Sequence, residues 1–182
     1  LFSMNEMLSL FDPSNINKSA SQYNLEKLNW INGEYLKKTP ISELKKLLKD
    51  FDCDSFGENE ELLFKNALER AKTLVDLATT INSMAKAPTL YDEAAVAKNI
   101  TDEAKDILRG FTATLQASNA KDEHEFKAVI DEFLTSRELK MPKLGMPLRI
   151  ALTGSTQSPS VHELLAIVGK EESIKRIGNF LK

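Results

Sequence analysis

The sequence predicts an all-α, multihelical protein built as two packed helical subdomains. Three observations carry this. Glycine and proline are sparse, 7 and 6 of 182 residues, so helix breakers are few. Apolar residues recur three and four apart along most of the chain, the spacing that lines one face of a helix. Capping signals stand in front of several of these runs. Periodicity is weakest between Met84 and Thr101, which places the join there and divides the chain into 1–88 and 89–182.

The elements follow in order. Asn5 to Phe11 reads as a short helix with Ser3 as N-cap, broken by Asp12-Pro13-Ser14-Asn15. A second helix starts at Asn24, with Leu25, Leu28, Ile31 and Leu36 near one face and Trp30 in the core. Thr39-Pro40 reads as N-cap and first helical position of the next helix. An acidic loop, 52–59, precedes the longest pattern, one helix from about Glu60 to Met84. Residues 89–100 are ambiguous. Thr101-Asp102-Glu103 opens a helix with acids at its positive end. Another runs from about Asp122 to Leu139. Ser160 and Glu163 form a capping box for Val161–Val168, Gly169 stops that helix, and a last helix covers 171–181.

Much chemistry is excluded. The formal net charge is −3, so binding of nucleic acid would need a local basic patch. One cysteine, Cys53, cannot form a disulfide within the chain, and a reducing, cytoplasmic setting follows. Two histidines, His124 and His162, are too few to build a zinc site with that cysteine. Phosphate-cradling G-x-x-x-x-G-K-[ST] and G-x-G-x-x-G loops are missing. Cys53 stands among acids, which disfavours a thiolate, so no catalytic residue is assigned. No apolar run reaches the roughly 18 residues of a membrane span. The acidic start LFSMNEMLSLFD is no signal peptide, and a start at Leu1 instead of Met points to a fragment.

The stretch MPLRIALTGSTQSPS, 146–160, is the chemically distinctive one. By residue type alone, TGSTQSPS is a capped turn and Arg149 a surface arginine. It resembles, however, a C-terminal segment of bacterial glutamyl-tRNA synthetases, P-L-R-x-A-L-T-G followed by S/T-P-G. Three further blocks resemble the same family in its order and spacing: SASQYNLEKLNWING at 19–33, LERAKTLVDL at 68–77 and LLAIVGKEESIKRIGNFL at 164–181. The family's ATP-binding signatures are not in the sequence. The resemblance therefore implies the anticodon-binding, non-catalytic C-terminal half of a class I glutamate–tRNA ligase, with ATP and magnesium used in a separate catalytic half. It implies tRNA-Glu as partner, a monomer and no membrane. It also implies that Arg149 and Ser158 contact the first anticodon base and that Pro159 and Val161 line the pocket of the second. Lys72, in the helix of the E-R-x-x-T-L block, takes the third-base position and leaves acceptance of tRNA-Gln open.

The residue chemistry suits this role. Single-stranded loops are read by hydrogen bonds to base edges and by stacking. Arg149 offers a planar fork of donors, and Thr153, Ser155, Thr156, Gln157 and Ser158 offer short polar groups. Residues 136–160 carry Arg137, Lys140, Lys143 and Arg149 against Glu138 alone, a local basic patch. The competing function is a helical protein-interaction scaffold whose polar turn is structural.

Overall fold

The computed structural model describes residues 1–16, 19 and 22–182; Ala20 and Ser21 of the first matching block lie outside them. Among the described residues there are eleven α-helices and no strand. They are α1 (Met4–Leu10), α2 (Leu25–Lys38), α3 (Ile41–Leu48), α4 (Glu60–Arg70), α5 (Leu74–Ala85), α6 (Glu93–Asn99), α7 (Asp102–Ala117), α8 (Glu123–Ser136), α9 (Met141–Thr153), α10 (Val161–Val168) and α11 (Lys170–Phe180).

The centre is α10. Its sequence, VHELLAIV, buries Val161 and the whole run from Leu164 to Val168. A helix apolar nearly all round must lie inside, and α10 touches α4, α5, α8, α9 and α11. Around it α7 packs on α8, α9 and α11, and α4 packs on α2 and α5. The buried apolar cluster runs from Leu36 in α2 to Ile177 in α11. Ala104, Ile107, Leu108, Phe111 and Leu115 of α7 are all buried, as their spacing predicts.

Four differences from the sequence reading matter. The long 60–84 helix is two helices. Thr73 accepts from the N–H of Asp76, and the Asp76 carboxylate accepts from the N–H groups of Lys72 (3.2 Å) and Thr73 (3.0 Å). A new capping box in mid-pattern thus starts α5 and leaves 71–73 as a break. At Thr39-Pro40, Thr39 closes α2 instead, its hydroxyl donating to the Tyr35 carbonyl, and Pro40 is itself the N-cap of α3. The helix begun at Asp122 stops at Ser136, because Glu138 takes a left-handed φ of 55°. Trp30 is exposed, with Leu25 and Leu28 beside it; α2 buries only Gly33 and Leu36. Helix α1 buries nothing.

The ambiguous 89–100 stretch holds α6, capped by Asp92. Helix α9 has no counterpart in the periodicity reading. Pro142 stands in its first turn, where proline costs nothing, and Pro147 lies inside.

Candidate nucleic-acid interface

Helix α9 ends at Gly154, whose φ of 76° is the left-handed geometry of a helix terminator. A Cβ there would lie 2.4 Å from the Leu90 carbonyl oxygen, so only glycine fits. The Gly154 carbonyl in turn accepts from the Asp92 N–H at 2.9 Å, tying the turn to the start of α6. The chain then runs through Ser155–Ser160 into α10. Ser160, at φ −56°, is the N-cap, and the Glu163 carboxylate reaches back to its N–H at 3.1 Å.

Arg149 sits one turn before the end of α9 and folds over this loop. Its Nε–H donates to Ser158 Oγ at 3.0 Å and to the Pro159 carbonyl at 3.4 Å; Nη2 reaches the same carbonyl at 3.3 Å. Nη1 lies 3.9 Å from the Met146 sulfur. The guanidinium has five N–H groups, so one on each terminal nitrogen remains to be used. Burial, with Arg70 nearby, lowers its pKa from the ordinary arginine value.

Opposite the turn stand α4 and α5. Between them and residues 155–160 lies a cleft of about 440 Å³. Asn66, Glu69 and Arg70 line it from α4, and Thr79, Thr80 and Ser83 from α5. Gln157, Ser158 and Pro159 line the other side. The lining mixes polar side chains with the apolar surface of Met84 and Pro159, and carries two acids, Glu69 and Glu163, and one arginine, Arg70. Such a surface can donate to and accept from the edges of a planar polar ligand.

The structure thus brings Gln157, Ser158 and Pro159 into one cleft and holds Arg149 against its rim. It does not do the same for the other expected residues. Val161 is fully buried, because it is the first core-facing residue of α10 and packs toward Gly145; it offers no surface to a base. Thr153 is 8% exposed and its hydroxyl is taken by the Arg149 carbonyl at 2.9 Å, with the Ser155 carbonyl at 3.2 Å. Its place is to shape the turn. Lys72 is exposed but stands in the α4–α5 break, outside a helix and outside the cleft lining. There its carbonyl accepts from Asn32 at 2.6 Å, which joins the first and second matching blocks. The expected basic patch is also diluted. Lys143 pairs with Glu103 at 2.8 Å, and Arg137 lies over the Phe133 ring.

Arg70 lines the cleft, although by residue type and position it reads as an intrahelical or interdomain contact and not as a base reader. A signal was available in α5, where Thr79, Thr80 and Ser83 occupy an outer face that usually carries lysine and glutamate.

Comparison with known proteins gives the family. A family model described as an anticodon binding domain matches residues 16–181. A glutamate–tRNA ligase of Nitratiruptor sp. is 43% identical over 183 residues, covering 100% of this chain and 40% of the relative. One from Sulfurovum sp. is 45% identical, covering 97% of this chain and 39% of the relative. The chain therefore spans about 40% of the length of these curated relatives. Among solved structures, a glutamate tRNA ligase from Elizabethkingia meningosepticum in complex with its amino acid superposes with a TM-score of 0.84 at 26% identity. It covers 99% of this chain and 36% of its own. With a cleft of this make-up and a match across nearly its full length, the chain belongs to the anticodon binding domain family.

Proposed function

We propose that this chain recognises the anticodon arm of tRNA-Glu and is the non-catalytic recognition part of a glutamate–tRNA ligase. The observation that carries the reading is the cleft between the α4–α5 wall and the 155–160 turn, lined by polar groups beside apolar surface, with Arg149 pinned at its rim. Anticodon bases splay into it and meet fixed donors and acceptors. Arg149, Ser158, Gln157 and Pro159 engage the first two bases from the α9–α10 side, within 89–182. The third base meets the 1–88 side, where Arg70 is better placed than Lys72. In the parent protein ATP and magnesium act in the remaining part, which activates glutamate and transfers it to the acceptor end; this chain orients the tRNA toward it. The chain acts as a monomer in the cytoplasm. Whether tRNA-Gln is also accepted depends on the third-base wall.

Titrating the chain with a tRNA-Glu anticodon stem-loop at two salt concentrations tests the reading. Recognition predicts binding that weakens with salt as phosphate contacts release counterions. A structural scaffold shows no binding at low salt.

A further inference from the structure

Behind the cleft lies a buried arginine that the recognition surface does not use. Arg176, in α11, is 3% exposed. Its Nη1 donates to the Met84 carbonyl at 2.8 Å and the Leu152 carbonyl at 3.0 Å; Nη2 donates to the Ala85 carbonyl at 3.0 Å. Its Nε donates to Glu172 at 3.0 Å, one turn back on α11.

The three carbonyls have a common origin. Met84 and Ala85 close α5, and Leu152 is next to last in α9. The last four carbonyls of a helix have no partner within it and carry its negative end. One guanidinium thus satisfies the ends of two helices at once, and its charge lies where both dipoles favour a cation. Burying it would otherwise be costly. Only a planar fork with several fixed donors can make these contacts together; a lysine ammonium cannot copy that geometry.

Of the two helices joined in this way, α5 forms part of one wall of the cleft and α9 leads into the 155–160 turn that forms the other. Thr79, Thr80 and Ser83 face the cleft from α5, and α9 carries Arg149 and runs directly into the 155–160 turn. Apart from α10, which packs on both, direct packing between α5 and α9 is slight. We propose that Arg176 is a positioning residue for recognition: it fixes α5 against α9, and so sets the spacing that lets the cleft discriminate between bases. This rests on the anticodon reading of the cleft. Arg176 is too buried to touch RNA, so its effect passes through the walls alone.

The test uses Arg176→Lys, which keeps the charge, and Arg176→Met, which keeps the apolar length. Each is first shown to be folded by circular dichroism. Spin labels at Thr79→Cys and Gln157→Cys, with buried Cys53 left in place, report the distance across the cleft without RNA. Unlabelled proteins are then titrated with the tRNA-Glu anticodon stem-loop and with versions altered at one anticodon base. The expected result is a broader or shifted distance distribution in Arg176→Lys. Discrimination against the altered loops falls by about three- to tenfold, in the range seen for residues that modulate a site without touching its ligand. The salt dependence of binding stays as in the wild type. A folded Arg176→Lys with wild-type distances or wild-type discrimination overturns the proposal; if Arg176→Met does not fold, Arg176→Lys decides. Failure of the wild type to bind any loop would count against the anticodon reading instead, while the distance measurement still judges whether Arg176 sets the walls.

Discussion

Arg149 and Ser158 are nine residues apart and joined by a 3.0 Å hydrogen bond from Nε–H to Oγ across the turn that follows α9. The Ser158 hydroxyl in turn donates a hydrogen bond to the Pro159 carbonyl at 3.0 Å, so the guanidinium is held by a short chain of hydrogen bonds. Ser158→Ala removes the first acceptor and leaves the weaker contacts to Pro159. Loss of one such bond is worth about 0.5–1.5 kcal/mol. Stem-loop affinity should fall by at most about that amount, because the arginine fork is less ordered before binding, and folding stability should fall by no more than the same amount. Calorimetric titration of both proteins measures it.

Thr73→Ala removes the cap that divides 60–85 into two helices. Cap losses cost about 1 kcal/mol. The cost should appear as a lower urea midpoint, and Thr73→Ser should restore most of it. The same change loosens the 71–73 break to which Asn32 is anchored, so Asn32→Ala should add little to it in a double mutant.

Gly154→Ala should be among the most damaging single substitutions in the chain. It forces an alanine into the left-handed region, about 1–2 kcal/mol by itself. It also drives a Cβ to 2.4 Å from the Leu90 carbonyl. A loss of roughly 3 kcal/mol or more is expected in denaturant unfolding, since backbone strain and overpacking add.

Acid should weaken the fold through Glu163 and Glu172. Burial pushes both carboxyls up. At Glu163 the hydrogen bonds from Ser160 and the neighbouring His162 outweigh it; at Glu172 the hydrogen bond and charge of Arg176, helped by Lys175, do so. Both therefore lie below the ordinary 4.5 in the folded state. Below that pH the unfolded chain binds more protons than the folded one, so their stabilisation is complete above about 4.5 and is lost as pH falls through the lowered values. Melting temperatures from pH 7 to pH 3 should fall less steeply in Glu172→Gln than in the wild type.

Much of the fold was legible because burial in a helix bundle follows spacing. Helices α7, α8 and α10 carry complete apolar faces, and their N-terminal residues Thr101, Asp122 and Ser160 are strong capping types. The break at 71–73 was hidden because Ala71, Leu74, Ala78 and Ile81 keep helical spacing straight through it; only the Thr73–Asp76 pair marks it. Helix α9 was obscured by two prolines. Trp30 shows the limit of residue type, since aromatic character does not say which face of α2 meets the core. In the cleft, the turn residues were visible as local chemistry. Arg70 and the polar face of α5 were not, because the cleft forms only when segments about 80 residues apart in the chain come together. The burial of Val161 was not legible for a related reason: a residue one position into a helix can point either to the cleft or to the core, and here it packs toward Gly145.

The central claim is that the cleft beside Arg149 reads anticodon bases. The most direct measurement is the affinity of the wild type and Arg149→Ala for a set of tRNA-Glu anticodon stem-loops altered at each anticodon position in turn, at fixed salt. The account predicts that the wild type discriminates at all three positions. Arg149→Ala should lose about 1–3 kcal/mol for the natural loop and become indifferent to the first base, while still discriminating at the third. Equal discrimination at the first position in both proteins, or a loss in Arg149→Ala that is uniform across every loop, would contradict it and reduce Arg149 to a phosphate contact or a brace of the turn.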